Sequence, residues 1–233
     1  ELRISSVAYN RAEGMPISVG PRVRFGGTHP ITARALLIAR TAVPDGDDDR
    51  RIGYDISAEQ LVAPALGVTL GAQLISRIDP IESWGLTDVE SALATFVLHN
   101  DYRDHYERSG WGAFVRLTRP GTPYSVQLEY RDENHARTPV ADPVVLLRMA
   151  SNWRPEPSIA EGSLHSIAAS LRYDTRNEER DPSIGWLVDA EIEQGVGGNI
   201  EHVYNNGRSN QVIFGFPTGF DLGRLKSNDE GGL

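Results

Sequence analysis

Cysteine is absent from the 233 residues, which removes disulfide frameworks, thiolate metal sites and cysteine nucleophiles at once. A long apolar run is missing too. The longest uncharged stretch, Gln60 to Ser76, contains Pro64, Gly67 and Gly71. It falls short of the ~20 apolar residues that a membrane-crossing helix needs. Basic residues are outnumbered: the formal net charge is −9, which argues against nucleic acid as the main partner, because phosphate binding calls for a basic surface. No Gly-x-Ser-x-Gly elbow, Walker loop or His-Glu-x-x-His occurs. Gly195-Val196-Gly197-Gly198 follows a strand pattern but opens no helix, so it is no phosphate cradle. The expectation is a protein without enzymatic chemistry, cofactor or metal. Glu1 is preceded by no basic or apolar leader, and the chain reads as an excerpt of a longer one.

What is present is alternation. In Ile17–Phe25 the odd positions Ile17, Val19, Val23 and Phe25 are apolar, whereas Ser18, Gly20, Arg22 and Arg24 are small or charged. The same period returns in Tyr124–Arg131 and Trp186–Glu193. Successive side chains of a strand point to opposite faces, so each segment has one apolar and one wet face. Further strands are expected at 32–43, 51–62, 66–78, 111–118, 166–174, 185–194 and 211–216, about 8–10 in all. Many reach the 9–11 residues of a tilted membrane strand. The mean hydropathy of −0.35 permits this, since only alternate residues of a barrel strand need be apolar.

The period changes once. Thr87 and Glu90 form a capping-box pair, and Val89, Ala92, Leu93, Phe96 and Val97 follow at helical spacing. A short helix at 88–98 is expected inside a long connection. The fold class is therefore all-β: an antiparallel transmembrane barrel or partial barrel, with a lead-in at 1–16, strands and loops over 17–216 and an irregular tail at 217–233. A soluble β-sandwich, with carbohydrate-binding or hydrolytic function, is the competing architecture. There the apolar faces would meet in a core and Trp84, Trp111, Trp153 and Trp186 would line a groove.

Polar clusters receive plain readings at this level. Asp45-Gly46-Asp47-Asp48-Asp49 lacks the downstream glutamate of a calcium loop and reads as a solvated acidic turn. Asp101, Asp104, His105 and Glu107 interleave with Arg103 and Arg108, the pattern of a water-facing strand end or loop. His135 and His165 are read as surface residues. The segment 134–162 reads mostly as loop, with one short strand near Val144–Met149. Arg22, Arg24, Arg34 and Arg40 are expected to face an aqueous lumen beside acids such as Asp55 and Glu59.

Several motifs, in order, resemble one family. Tyr9-Asn10-Arg11-Ala12-Glu13-Gly14 resembles the segment leading into the first strand of bacterial surface-antigen barrels, the outer-membrane assembly and translocation proteins of the BamA/TamA type. Tyr173-Asp174-Thr175-Arg176-Asn177 with Pro182-Ser183-Ile184-Gly185-Trp186 resembles that family's hairpin. Asn100–Tyr106 and Trp153–Pro157 resemble segments of a bacterial subgroup. The resemblance implies a bacterial outer-membrane location, lipid as solvent, and a role in inserting or translocating client outer-membrane proteins alongside periplasmic recruitment domains. A passive pore or structural barrel is the alternative within this class. It also implies that Ile17, Val19, Val23 and Phe25 mark the seam strand, and that Tyr173, Asp174, Arg176, Pro182, Gly185 and Trp186 build the hairpin. Departures are plain. The family's sixteen strands exceed what this length holds, and its arginine-glycine-phenylalanine loop motif and closing aromatic-ended strand do not appear. A partial barrel is what the resemblance supports. Open in lipid, it would expose backbone groups costing several kcal/mol each and so need a partner.

Overall fold

The computed structural model describes residues 1–6, 8–44, 46–81, 87–147, 152–177, 184–199 and the backbone of 208–215. Ten strands form one antiparallel sheet in strict chain order: β1 (Leu2–Ser6), β2 (Pro16–Phe25), β3 (Ile31–Arg40), β4 (Ile52–Ala63), β5 (Val68–Pro80), β6 (His105–Thr118), β7 (Tyr124–Arg137), β8 (Gly162–Asp174), β9 (Leu187–Gly198) and β10 (Arg208–Gly215). One helix, α1 (Asp88–Leu98), lies between β5 and β6, and a 3₁₀ turn spans Asp48–Arg51. Among the described residues no helix is long and apolar enough to cross a membrane. Among the described residues the strands form one sheet, not the two separate sheets of a sandwich.

Register assigns every side chain to a face. Val19 pairs with Leu37, Ile56 with both Ala35 and Leu74, and Leu128 with both Val115 and Ala169, so the apolar residues of successive strands share one side. The opposite side carries Arg34, Asp55, Gln73, Arg116, Glu129, Arg131 and Glu191. Polar contacts close across intervening strands on that side: Arg116 Nη1 to Glu59 Oε2 over β5 (3.1 Å), Gln73 Nε2 to Glu129 Oε1 over β6 (2.6 Å), and Arg131 Nη1 to Glu191 Oε1 over β8 (3.2 Å). Side chains two strands apart converge like this only on the concave side of a curved sheet. Burial agrees. Glu129 and Glu133 are 4% and 5% exposed, while Leu37, Leu128 and Ile192 on the convex face are 58%, 55% and 58% exposed.

Small residues make the curvature possible. A Cβ on Gly71 would lie 2.3 Å from the Phe114 ring, and one on Gly112 would lie 3.0 Å from Glu129 Oε1. Gly71 thus lies under an aromatic ring that the Arg116 guanidinium covers at 4.7 Å, and Gly112 lies beneath the Gln73–Glu129 hydrogen bond. Register shifts at Leu61/Ala63 and His165/Ser166 add local twist, as bulges do.

The two ends differ. Residues 26–30, 64–67, 119–123 and 175–186 connect strands at one end, the turn end. Residues 41–51, 81–104 and 138–161 connect them at the other, the loop end. On the convex face Phe25, Tyr124 and Tyr173 crowd the turn end, Tyr124 directly opposite Tyr173. Toward the loop end the convex face turns polar at Ser76, Ser109, Asp132 and His165, where Asp132 and His165 approach to 3.5 Å.

Several expectations change. The lead-in contains a strand, β1, that pairs with β2 from Leu2↔Pro21 to Ser6↔Ile17. The expected edge at Ile17–Phe25 is therefore covered over residues 17–21, and the first edge of the sheet is Leu2–Ser6. β6 and β7 run further toward the loop end than alternation shows, starting at His105 and ending at Arg137. Residues 144–147 form no strand, and Met149 lies outside the described residues. So do Pro182, Trp84, Asp45 and the tail at 217–233.

Candidate functional site

At the loop end three separate segments converge on one side chain. Arg11 is fully buried. It sits in a short turn closed by reciprocal backbone hydrogen bonds between Asn10 and Gly14 (2.9 and 3.0 Å), with Asn10 Oδ1 accepting from the backbone N–H of Ala12 and Glu13. This is an Asx-type turn, made by the side chain that best mimics a backbone carbonyl. It aims the guanidinium away from solvent. Arg11 Nη2 reaches Asp104 Oδ1 and Glu156 Oε2, each at 2.8 Å, and Nη1 donates to the carbonyls of Asp101 and Arg103. The backbone N–H of Arg11 donates to Asp101 Oδ2 at 2.8 Å.

The clamp extends outward. Glu156 accepts from the backbone N–H of His105 (2.8 Å), and His105 Nδ1 lies 3.2 Å from Glu156 Oε1. Arg103 pairs with Asp88 at the start of α1 (2.7 Å), and Arg154 with Asp104 (2.6 Å). Glu13 pairs with Arg40 at 3.0 Å, and burial pushes the Glu13 carboxyl above its usual range, with Arg40 and Asn10 pulling it partly back. Two aromatic contacts complete the seat. Tyr9 packs edge-on to Phe96 while its hydroxyl donates to the Val144 carbonyl. Trp153 packs edge-on to His99, the left-handed cap residue of α1, and donates from Nε1 to Asp142.

The arrangement is an ionic clamp that fastens the lead-in, the α1–β6 segment and residues 152–157 to one another. Asp101 and His105, expected to face water, are 3% and 4% exposed. The correction has a physical cause: their partners Arg11 and Glu156 are remote in sequence, and alternating charge carries no mark of burial. Glu107 meets Arg50 (3.1 Å). Asp47 and Asp48 of the acidic turn engage Arg50 and Arg51. His135 is partly exposed on the concave side, beside Tyr106 and within 3.2 Å of Glu133.

The hairpin residues hold the turn end together. Asp174 accepts from Arg176 through the backbone N–H (3.1 Å), Nε and Nη2 (both 2.9 Å), and pairs with Arg172 at 3.1 Å. Gly185 adopts φ 118°, and a Cβ there would meet the Thr175 carbonyl at 2.4 Å. Trp186 is exposed and Tyr173 lies on the convex face. Of the four arginines expected in the lumen, Arg34 pairs with Asp55 at 2.7 Å and Arg40 with Glu13. Arg22 and Arg24 share the concave face but meet no acid among the described residues.

The edge strand is the second candidate. β1 stops opposite Pro21, where the Arg22 N–H donates to the Glu1 carbonyl at 2.8 Å. Beyond it Val23–Phe25 pair only with β3. No family model, curated protein or solved structure matches the chain.

Proposed function

We propose that the chain forms the wall of a bacterial outer-membrane β-barrel of the surface-antigen type, and that it serves the insertion or translocation of other outer-membrane proteins. One observation carries the membrane reading: the apolar face of a ten-stranded sheet is the exposed, convex one, and its charges lie on the concave side. Water as the only solvent would penalise that arrangement at roughly 25 cal/mol per Å² of apolar surface left wet. Lipid outside and water inside reverse the sign. Aromatic residues at the turn end match an interfacial girdle.

The assembly role rests on the short β1 and the bare stretch Val23–Phe25. An exposed strand edge templates the addition of another strand, here one from a client protein.

The first experiment compares the purified chain with and without detergent or lipid. Folding only in their presence, with heat-modifiable gel migration, is the expected result. A monodisperse protein melting cooperatively in plain buffer would overturn the reading. The assembly role is tested in vesicles with Ile4→Pro and Arg24→Pro: Glu1 and Arg22 exchange backbone hydrogen bonds, so alternation turns the N–H of Ile4 and of Arg24 to the free side, and proline cannot donate to a ladder. Both variants are expected to lose client insertion. Unaltered insertion would remove the edge from the mechanism, and a barrel that folds yet inserts no client would be a passive one.

A further inference from the structure

Charge on the concave face is sorted by strand. β1–β3 carry five arginines there, Arg3, Arg22, Arg24, Arg34 and Arg40, and no acid. β4–β6 are balanced, with three residues of each sign. β7–β9 carry six acids, Glu129, Glu133, Asp174, Asp189, Glu191 and Glu193, against three arginines. The imbalance is not neutral for the sheet. Arg22 stands directly opposite Arg34, and like charges so placed are destabilising. Asp55 offsets Arg34 and Glu13 offsets Arg40. Arg3 has only the exposed Glu1 at 3.6 Å.

Among the described strands the surplus cations sit at one edge of the sheet and the surplus acids beside the other. Ten strands alternating in direction leave β1 and β10 antiparallel, so a ladder between them needs no crossover. In lipid each unpaired backbone group at a free edge costs several kcal/mol. We propose that the sheet closes on itself, its first edge against β10, and that arginines of β1 and β2 meet carboxylates of β9 across the seam. The inference rests on the barrel reading above and names what secures, in the resting state, the seam that a client strand would have to open.

The reach is already in use elsewhere on this face. Arg116–Glu59, Gln73–Glu129 and Arg131–Glu191 each span one intervening strand, a separation of about 9–10 Å. Arg3 on β1 and the acids of β9 would be one strand apart once β10 lies between them. At the level of Arg24, β1 has ended and β2 is itself the edge, so β9 is again one strand beyond.

Absence of native cysteine makes the test clean. Ile4→Cys is combined in turn with Asn210→Cys, Val212→Cys and Phe214→Cys, and the chain, folded in lipid vesicles, is oxidised. The expected result is an intramolecular disulfide in one or two of the pairs. Its yield should fall about fivefold when Arg3, Arg22 and Arg24 are all changed to Gln. Dimeric products alone would show that the edges receive a second copy, and no cross-link would show an open sheet; either overturns the proposal. A disulfide indifferent to the arginines would overturn its electrostatic part. Heat-modifiable migration on the same samples reports the membrane barrel separately, so an open but lipid-folded sheet is told apart from a chain that was never a membrane barrel.

Discussion

Arg11 is the residue whose loss the structure tolerates least. Its guanidinium neutralises Asp101 and Glu156, both almost wholly buried, so removal strands two carboxylates away from solvent. Breaking a buried pair from one side costs about 3–5 kcal/mol. Arg11→Ala is expected to lower the unfolding free energy in detergent by that amount, whereas Arg154→Ala, which removes a half-exposed ion pair, should cost less than about 1 kcal/mol. Equal effects would refute the clamp. Glu13 gives a pH signature. Its folded pKa is raised above the unfolded value, mainly by burial, so the folded state takes up a proton first as pH falls. Relative to Glu13→Gln, the parent chain should gain stability from neutral pH down toward the ordinary carboxylate range near ~4.3. Parallel melting curves across that window would refute it. This node was not legible in the sequence. The motif residues could be picked out, but their burial depends on contacts between segments about ninety and fifty positions apart, which no local pattern encodes.

At the scale of elements, period decided what could be read. β2, β4 and β8 announce themselves because apolar residues recur at every second position along one face. β1 does not, since Leu2 and Ile4 give only two apolar positions, and it becomes a strand by pairing with β2. The last residues of β7, Asp132–Arg137, carry polar groups on both faces and so lose the period-two signal while keeping the ladder. The helix was readable from its cap. Thr87 Oγ1 accepts from the Glu90 N–H, and the Glu90 carboxylate accepts from the Thr87 N–H and from the Thr87 hydroxyl; the last two bonds hold that carboxyl below its usual range. Thr87→Ala removes both bonds of the hydroxyl and should cost about 0.5–2 kcal/mol of helix stability. Faster amide exchange across 88–98 with unchanged exchange in β5 and β6 is the expected readout; slowed or unaltered exchange in α1 would show that its fold is set by tertiary contacts alone.

For the whole molecule, the asymmetry of the two ends sets an orientation. At the turn end the convex apolar face runs up to the short connections, with Phe25, Tyr124 and Tyr173 at its rim. At the loop end the strands continue past the polar row of Ser76, Ser109, Asp132 and His165 and carry the clamp, α1 and the long connections. Outer-membrane barrels keep short turns on the periplasmic side and longer loops outside. On the barrel reading proposed above, the clamp therefore stands at the outer surface. Leu93→Cys on the exposed face of α1 should react with an impermeant maleimide in intact cells, and Arg119→Cys in the turn at 119–123 only after permeabilisation. The reverse pattern would invert the topology and place the ionic clamp in the periplasm, where it could fasten the lead-in to recruitment domains instead of presenting it outside.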